Sequence, residues 1–171
     1  VWLKIAGKKI KATYIHRTGK EITDATFEWV DPFSEGLAIV DRNRCIDRTG
    51  NVRELIDSTH AKLSVRLGRF FSEGLLAVRV RTNFEDTALW GYIDKEGKIA
   101  IRPQFAWVER FKNGLARVWP DGQPPNLRVW HGGLHGYPTK PGHPRYDYGY
   151  LKFGRCGYIN KDGDYVWSPT K

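Results

Sequence analysis

The sequence predicts an all-β protein of tandem repeats about 39 residues long, and three observations carry that reading. The first is self-similarity: Tyr14 to Val40 and Tyr92 to Val118 align without a gap and share 12 of 27 positions, at an offset of 78 residues. Between them Phe71-Ser72-Glu73-Gly74-Leu75 repeats Phe33-Ser34-Glu35-Gly36-Leu37 after 38 residues, so 78 is two periods. The second is a four-fold turn signature, His16-Arg17-Thr18-Gly19, Asp47-Arg48-Thr49-Gly50, Asp94-Lys95-Glu96-Gly97 and Asn160-Lys161-Asp162-Gly163. The third is composition: 13% aromatic residues with 18 Gly and 9 Pro suit short strands and tight turns. A period in this range marks small units that bury their apolar faces on one another.

Each element follows from local chemistry. The opening Val1-Trp2-Leu3-Lys4-Ile5 reads as a strand, and its first two residues match Val118-Trp119 at the end of a later strand. Short apolar strands precede the four turns: Tyr14-Ile15, Cys45-Ile46, Tyr92-Ile93 and Tyr158-Ile159. Asp or Asn at the first turn position accepts a hydrogen bond from a backbone N–H two residues on. Gly at the fourth supplies a left-handed conformation, so a type I turn with a glycine bulge joins two antiparallel strands. Downstream, Phe27, Trp29 and Val30 recur as Phe105, Trp107 and Val108, and their repetition predicts core residues. A third strand follows at Phe33 to Val40, Phe71 to Val78 and Phe111 to Val118, each with a Gly at its turn.

One unit is thus expected to be a hairpin, an aromatic-bearing connection and a third strand. The units run over about 12–40, 43–80, 90–118 and 156–171, in a single domain covering 1–171. Extra residues in the second unit leave room for a short helix over Glu54 to Leu63, and the fourth unit lacks a third strand. Their stacking is expected to be solenoid-like or propeller-like. The opening strand either closes a ring with the fourth unit or marks an array cut in mid-repeat; the second is the expectation, with the chain a piece of a longer one.

Trp90-Gly91-Tyr92-Ile93-Asp94-Lys95-Glu96-Gly97-Lys98, followed by Pro103-Gln104-Phe105 and Phe111-x-x-Gly114-Leu115-Ala116, resembles the WG-containing repeat of bacterial proteins. Cys156-Gly157-Tyr158-Ile159-Asn160 keeps part of the pattern, whereas Ala12-Thr13 and Asn43-Arg44 replace the naming dipeptide in the first two units. The resemblance implies tandem β-repeats with an interaction role and no shared catalytic residues.

Composition narrows function. The net charge is +9, which favours anionic partners such as nucleic acid or an acidic protein surface, or simply keeps the surface well hydrated. No run of 18 apolar residues is present to span a membrane as a helix. Cys45 and Cys156 are expected as small buried residues. The chain carries no nucleophile elbow, zinc-protease helix, Walker loop, dinucleotide fingerprint or paired-cysteine motif. A non-catalytic module without cofactor is therefore expected.

Two candidate surfaces remain. The insertion Asp121 to Gly149 is rich in Gly, Pro, His and aromatic residues; Trp130, Tyr137, Arg145, Tyr146 and Tyr148 are of the types that dominate interfaces, and they predict a docking loop for another protein. Its His131, His135 and His143, with Asp147, have no rigid helix to aim them, so a packed or solvated loop is favoured over a metal site. The second surface is the basic residue after each first turn position: Arg17, Arg48, Lys95 and Lys161. Stacked in register they would form a positive ribbon able to track nucleic acid or another polyanion; the plainer reading is a set of solvated tips.

Overall fold

The computed structural model describes residues 2–6, 9–41, 43–56, 64–81, 88–122 and 154–168. Among these the regular elements are strands, and every pairing between strands is antiparallel. Four sheets follow one another along the chain. The first joins β1 (Trp2–Ala6) to β2 (Lys9–Thr13), with bridges from Ala12 to Phe27 and from Ile15 to Glu21. The second orders β3 (Leu37–Val40), β4 (Arg44–Asp47) and β5 (Val52–Glu54). The third orders β6 (Ser64–Leu67), β7 (Leu76–Arg81), β8 (Ala88–Ile93) and β9 (Ile99–Phe105). The fourth orders β10 (Trp107–Val108), β11 (Ala116–Trp119), β12 (Gly157–Ile159) and β13 (Tyr165–Trp167).

The sheets do not coincide with the sequence repeats. β3 ends the first repeat yet pairs with β4 of the second, whose other edge carries β5, and β7 and β11 likewise pair with the first strand of the next repeat's hairpin. The link from β3 to β4 is only residues 41–43, and a short loop closes an antiparallel pair at the lowest entropic cost. β1 stands beside β2 as β3 stands beside β4, so it has the role of a third strand. Its described pairing is with β2 and not with the fourth unit, contrary to a ring closed through that strand.

All four hairpin turns have the expected form. The last Gly N–H donates to the first residue's carbonyl at 2.9–3.2 Å, and φ at Gly19, Gly50, Gly97 and Gly163 is 86–96°. Asp47 Oδ1 accepts from the N–H of Thr49 at 2.8 Å, Asp94 Oδ1 from Glu96 at 3.0 Å and Asn160 Oδ1 from Asp162 at 3.1 Å. The Thr49 hydroxyl and the Asn51 amide also donate to Asp47, and these bonds hold its carboxyl down at about 2.

Side-chain alternation sends neighbouring residues into different cores. Ile46 packs with Tyr14, Phe27 and Val40, between the first two sheets. Cys45 packs with Phe71, Leu76 and Ile93, between the second and third. Tyr92 packs with Phe105, Phe111 and Ile159, between the third and fourth. Burial raises the Cys45 thiol above its ordinary value. Cys156, expected in the interior, is only half-buried, and both cysteines are free thiols. The hydroxyls of Tyr14 and Tyr92 donate to the carbonyls of Asp31 and Glu109, each 17 residues on and each at 2.6 Å. Desolvation and the nearby carboxylates raise both phenols well above their usual range.

Gly91 is required by close approach. Between the pairs Trp90–Phe105 and Tyr92–Ile101 the partner strand bulges at residues 102–104, and Pro103 there donates no hydrogen bond. A Cβ on Gly91 would lie 2.4 Å from the Ile101 carbonyl oxygen and 2.7 Å from Pro103 N. Thr13 stands in the same place in the first repeat. Its Oγ1 donates to the carbonyls of Thr23 at 3.3 Å and Ala25 at 3.1 Å, turning the contact into hydrogen bonds.

Two further expectations fail. Phe27 and Phe105 are buried, but Trp29 is exposed and Trp107 only half-buried, so the tryptophans do not share the phenylalanines' core. A bend at Ala106 separates β9 from β10 and breaks the alternation on which that reading rested. Trp29 instead donates its indole N–H to Asp31 Oδ2 at 3.3 Å. The described part of the expected helix is also different: Glu54 ends β5, Leu55 and Ile56 form a bend, and Leu55 fills the second core. Residues 57–63 lie outside the described residues.

Gly91→Ala is expected to lower the unfolding free energy by about 1–3 kcal/mol through overpacking against backbone. A urea melt checks this, and an unchanged midpoint with unchanged slope would show that the bulge can yield.

Candidate functional site

The turns before the third strands are joined to one another across the repeats. Ser34 and Leu37 exchange two backbone hydrogen bonds around Glu35-Gly36, and Ser72 with Leu75 and Lys112 with Leu115 do the same. Both central residues have positive φ: 51 and 91° in the first turn, 55 and 87° in the second, 55 and 77° in the third. This is a type I′ two-residue hairpin, for which Asn-Gly is the favoured pair. Asn113-Gly114 fits it, whereas Glu35 and Glu73 hold a left-handed conformation that costs about 1 kcal/mol or more.

Contacts between turns account for those glutamates. Ser34 Oγ donates to the Phe71 carbonyl and Ser72 Oγ to the Phe111 carbonyl, both at 2.7 Å. The Glu35 carboxylate accepts from the N–H groups of Glu73 and Gly74, the latter at 2.9 Å. The Glu73 carboxylate accepts from Gly114 N–H at 2.9 Å. Lys95 Nζ pairs with Glu35 Oε2, and Lys161 Nζ with Glu73 Oε2, both at 3.3 Å. Burial pulls the Glu35 carboxyl upward, but the Gly74 and Glu73 donors and the Lys95 ammonium outweigh it and leave it below the carboxylate range. Gly114 N–H is the largest influence on Glu73 and, with Lys161, lowers it as well.

The four basic tips are therefore not equivalent. Lys95 and Lys161 are held by carboxylates of this chain. Arg48 is exposed, with its guanidinium 6.0 Å from the centroid of the Phe33 ring. Arg17 is exposed and pairs with no described carboxylate. Trp130, Tyr137, Arg145, Tyr146 and Tyr148 lie outside the described residues, as do His131, His135, His143 and Asp147.

A second surface, which reading the sequence did not single out, is the outer face of the fourth sheet. Tyr158 takes the position of Tyr14 and Tyr92 in its repeat, but it is 38% exposed where they are buried. Its ring lies 6.2 Å from that of Trp167, which is 51% exposed. Arg117 is the strand partner of Tyr158; its guanidinium bonds Glu109 Oε1 at 2.6 Å and lies 5.0 Å from the Trp119 ring centroid.

Residues 13–43 and 90–118 match the family model of the WG containing repeat. Both stretches are WG repeats. The two matches cover the two stretches of the internal alignment, and the second contains the Trp90-Gly91 pair whose glycine faces the bulge. The first WG repeat lacks the dipeptide and keeps the geometry through Thr13. No curated protein and no solved structure matches the chain.

Glu35 and Glu73 titrate below the ordinary value of 4.5 in the folded chain. Their contribution is complete above the unfolded value and is lost as pH falls through the lower folded values. Wild type is therefore expected to lose more thermal stability between about pH 5 and pH 3 than the Glu35→Gln, Glu73→Gln double variant. Parallel acid limbs in melts of the two proteins would exclude the turn carboxylates as stabilising acids.

Proposed function

We propose that this WG-repeat chain is a non-catalytic protein-binding module, a scaffold whose recognition surface includes the open face of the fourth sheet. The observation that carries the reading is the exposed Tyr158–Trp167 pair, at a place where the equivalent tyrosines of other repeats are buried. Exposed Trp and Tyr beside an ordered Arg117 are the residue types that concentrate binding energy at protein interfaces. The insertion residues Trp130, Tyr137, Arg145, Tyr146 and Tyr148 are proposed to add to that surface. The polyanion reading is weaker, because two of its four cations, Lys95 and Lys161, are already paired within the chain.

Capture of partners from a cell lysate at low and at about 0.5 M salt, where exposed charge pairs are screened, separates the two readings. A protein partner is expected to persist at high salt. Its affinity is expected to fall about thirtyfold or more in the Tyr158→Ala, Trp167→Ala double variant, as for loss of hot-spot residues. Recovery of nucleic acid alone, eluting at high salt and indifferent to the double substitution, would overturn the proposal.

A further inference from the structure

The three type I′ turns form a row in which the second and third receive like contacts from the turn before, and the first has the receiving groups with no partner among the described residues. On the second turn these groups are the Phe71 carbonyl, the N–H groups of Glu73 and Gly74, and Lys95. On the third they are the Phe111 carbonyl, the Gly114 N–H and Lys161. On the first they are the Phe33 carbonyl, the N–H groups of Glu35 and Gly36, and Arg48. The backbone conformation is the same, with φ of 51 and 91° against 55 and 87° in the second turn. The register is the same too: Leu37 faces Asp47, and Leu76 facing Ile93 continues to Leu75 beside Asp94, so Arg48 stands where Lys95 does. No described residue donates to the Phe33 carbonyl or accepts from the N–H of Glu35 or Gly36.

We propose that the turn Phe33–Leu37, with Arg48, is a receptor for a serine–glutamate turn of another polypeptide segment. The incoming carboxylate accepts from the N–H groups of Glu35 and Gly36 and pairs with Arg48, while the serine hydroxyl donates to the Phe33 carbonyl. The molecule fills this arrangement twice with its own residues, which defines the ligand by both groups: a hydroxyl donor directly followed by a carboxylate. Two adjacent N–H groups in a positive-φ turn form an anion-binding nest, and a cation beside it strengthens the hydrogen bonds. A second copy of this chain has no unoccupied serine–glutamate turn to offer. Its Ser34-Glu35 and Ser72-Glu73 pairs are engaged on its own second and third turns, and its third turn carries Lys112-Asn113, which has no carboxylate. The inference rests on the protein-binding reading above and adds the chemistry of a ligand, at a surface separate from Tyr158 and Trp167.

The test is amide NMR of the whole chain titrated with a cyclised Phe-Ser-Glu-Gly-Leu peptide. Downfield shifts are expected at the Glu35 and Gly36 amides. Replacing the peptide's Glu by Gln, or Arg48→Ala in the protein, is expected to weaken binding about tenfold, as for loss of a charge-assisted contact. Arg17→Ala, at a tip with no turn of that kind beside it among the described residues, is expected to leave the response of the first arm unchanged. A second arm fuses the same five residues and one alanine ahead of Val1: Trp2 faces Thr13 as Val40 faces Arg44, so the alanine takes the place of Ala38 and the third-strand role of β1 would carry the turn to the first turn. A Glu-dependent response in the first arm assigns the ligand to a partner chain, and one confined to the second arm assigns it to the same chain; either supports the receptor. No shift at Glu35 and Gly36 in both arms, an equal response to the Gln peptide, or shifts that grow with protein concentration alone would overturn it. If the peptide arms fail while capture that depends on Tyr158 and Trp167 persists, the receptor falls and the protein-binding reading stands.

Discussion

Cys45 and Ile46 are adjacent in β4, both fully buried, and belong to different cores against different neighbouring sheets. A strand apolar on both faces cannot be stable in an isolated sheet, since each buried side chain of this size contributes about 1.5–3 kcal/mol only when water is removed from it. The same demand recurs in β8, where Tyr92 and Ile93 face opposite ways. The second and third sheets therefore each need a neighbour on both sides, and the connections serve that stacking. Gly97 is an instance: a Cβ there would lie 1.8 Å from the Leu55 carbonyl oxygen, so the hairpin tip can press on the preceding sheet only as glycine.

Once the sheets are stacked, their type I′ turns come into register and a second set of forces applies. Glutamate is a poor residue for a left-handed turn position, and its presence at Glu35 and Glu73 is compensated by hydrogen bonds to the next turn. Where no carboxylate is sent onward, Asn113 occupies the position that suits its backbone best. The row consequently has a direction. Acceptors point from one turn to the next, and its two ends differ chemically: N–H donors with a cation at one, a lysine and an asparagine amide at the other.

Charge follows the same order. A net charge of +9 suggests a generally cationic surface, yet much of the positive charge near the turns is used internally. Lys95 and Lys161 bind the turn glutamates, and Arg69 Nε pairs at 2.8 Å with the buried carboxylate of Asp31, joining the approach to one turn with the approach to the next. Arg53 reaches the Lys95 carbonyl across sheets. Such contacts make the repeats interdependent: what looks like a repeated surface charge is in part the seam between units.

The sequence by itself determined the strand class, the four glycine-bulge turns and the period, because each rests on contacts within a few residues: an Asx side chain, a left-handed Gly, an alternation of two. The core positions of Phe27 and Phe105 were legible in their repetition. Only the tertiary structure decided which strands share a sheet, because the third strand's choice between its own hairpin and the next one depends on loop closure and packing across repeats. It also decided the roles of residues whose types are ambiguous alone. Trp29 repeats as Trp107 and yet lies on the surface, since a bend changes the side it faces. Ser34-Glu35 reads as a polar turn, and it becomes a link only when Phe71 to Gly74 is brought 38 residues back to meet it. Local hydrogen bonds are written in neighbouring letters; the stacking that turns repeated residues into donors, acceptors or open faces is a property of the assembled sheets.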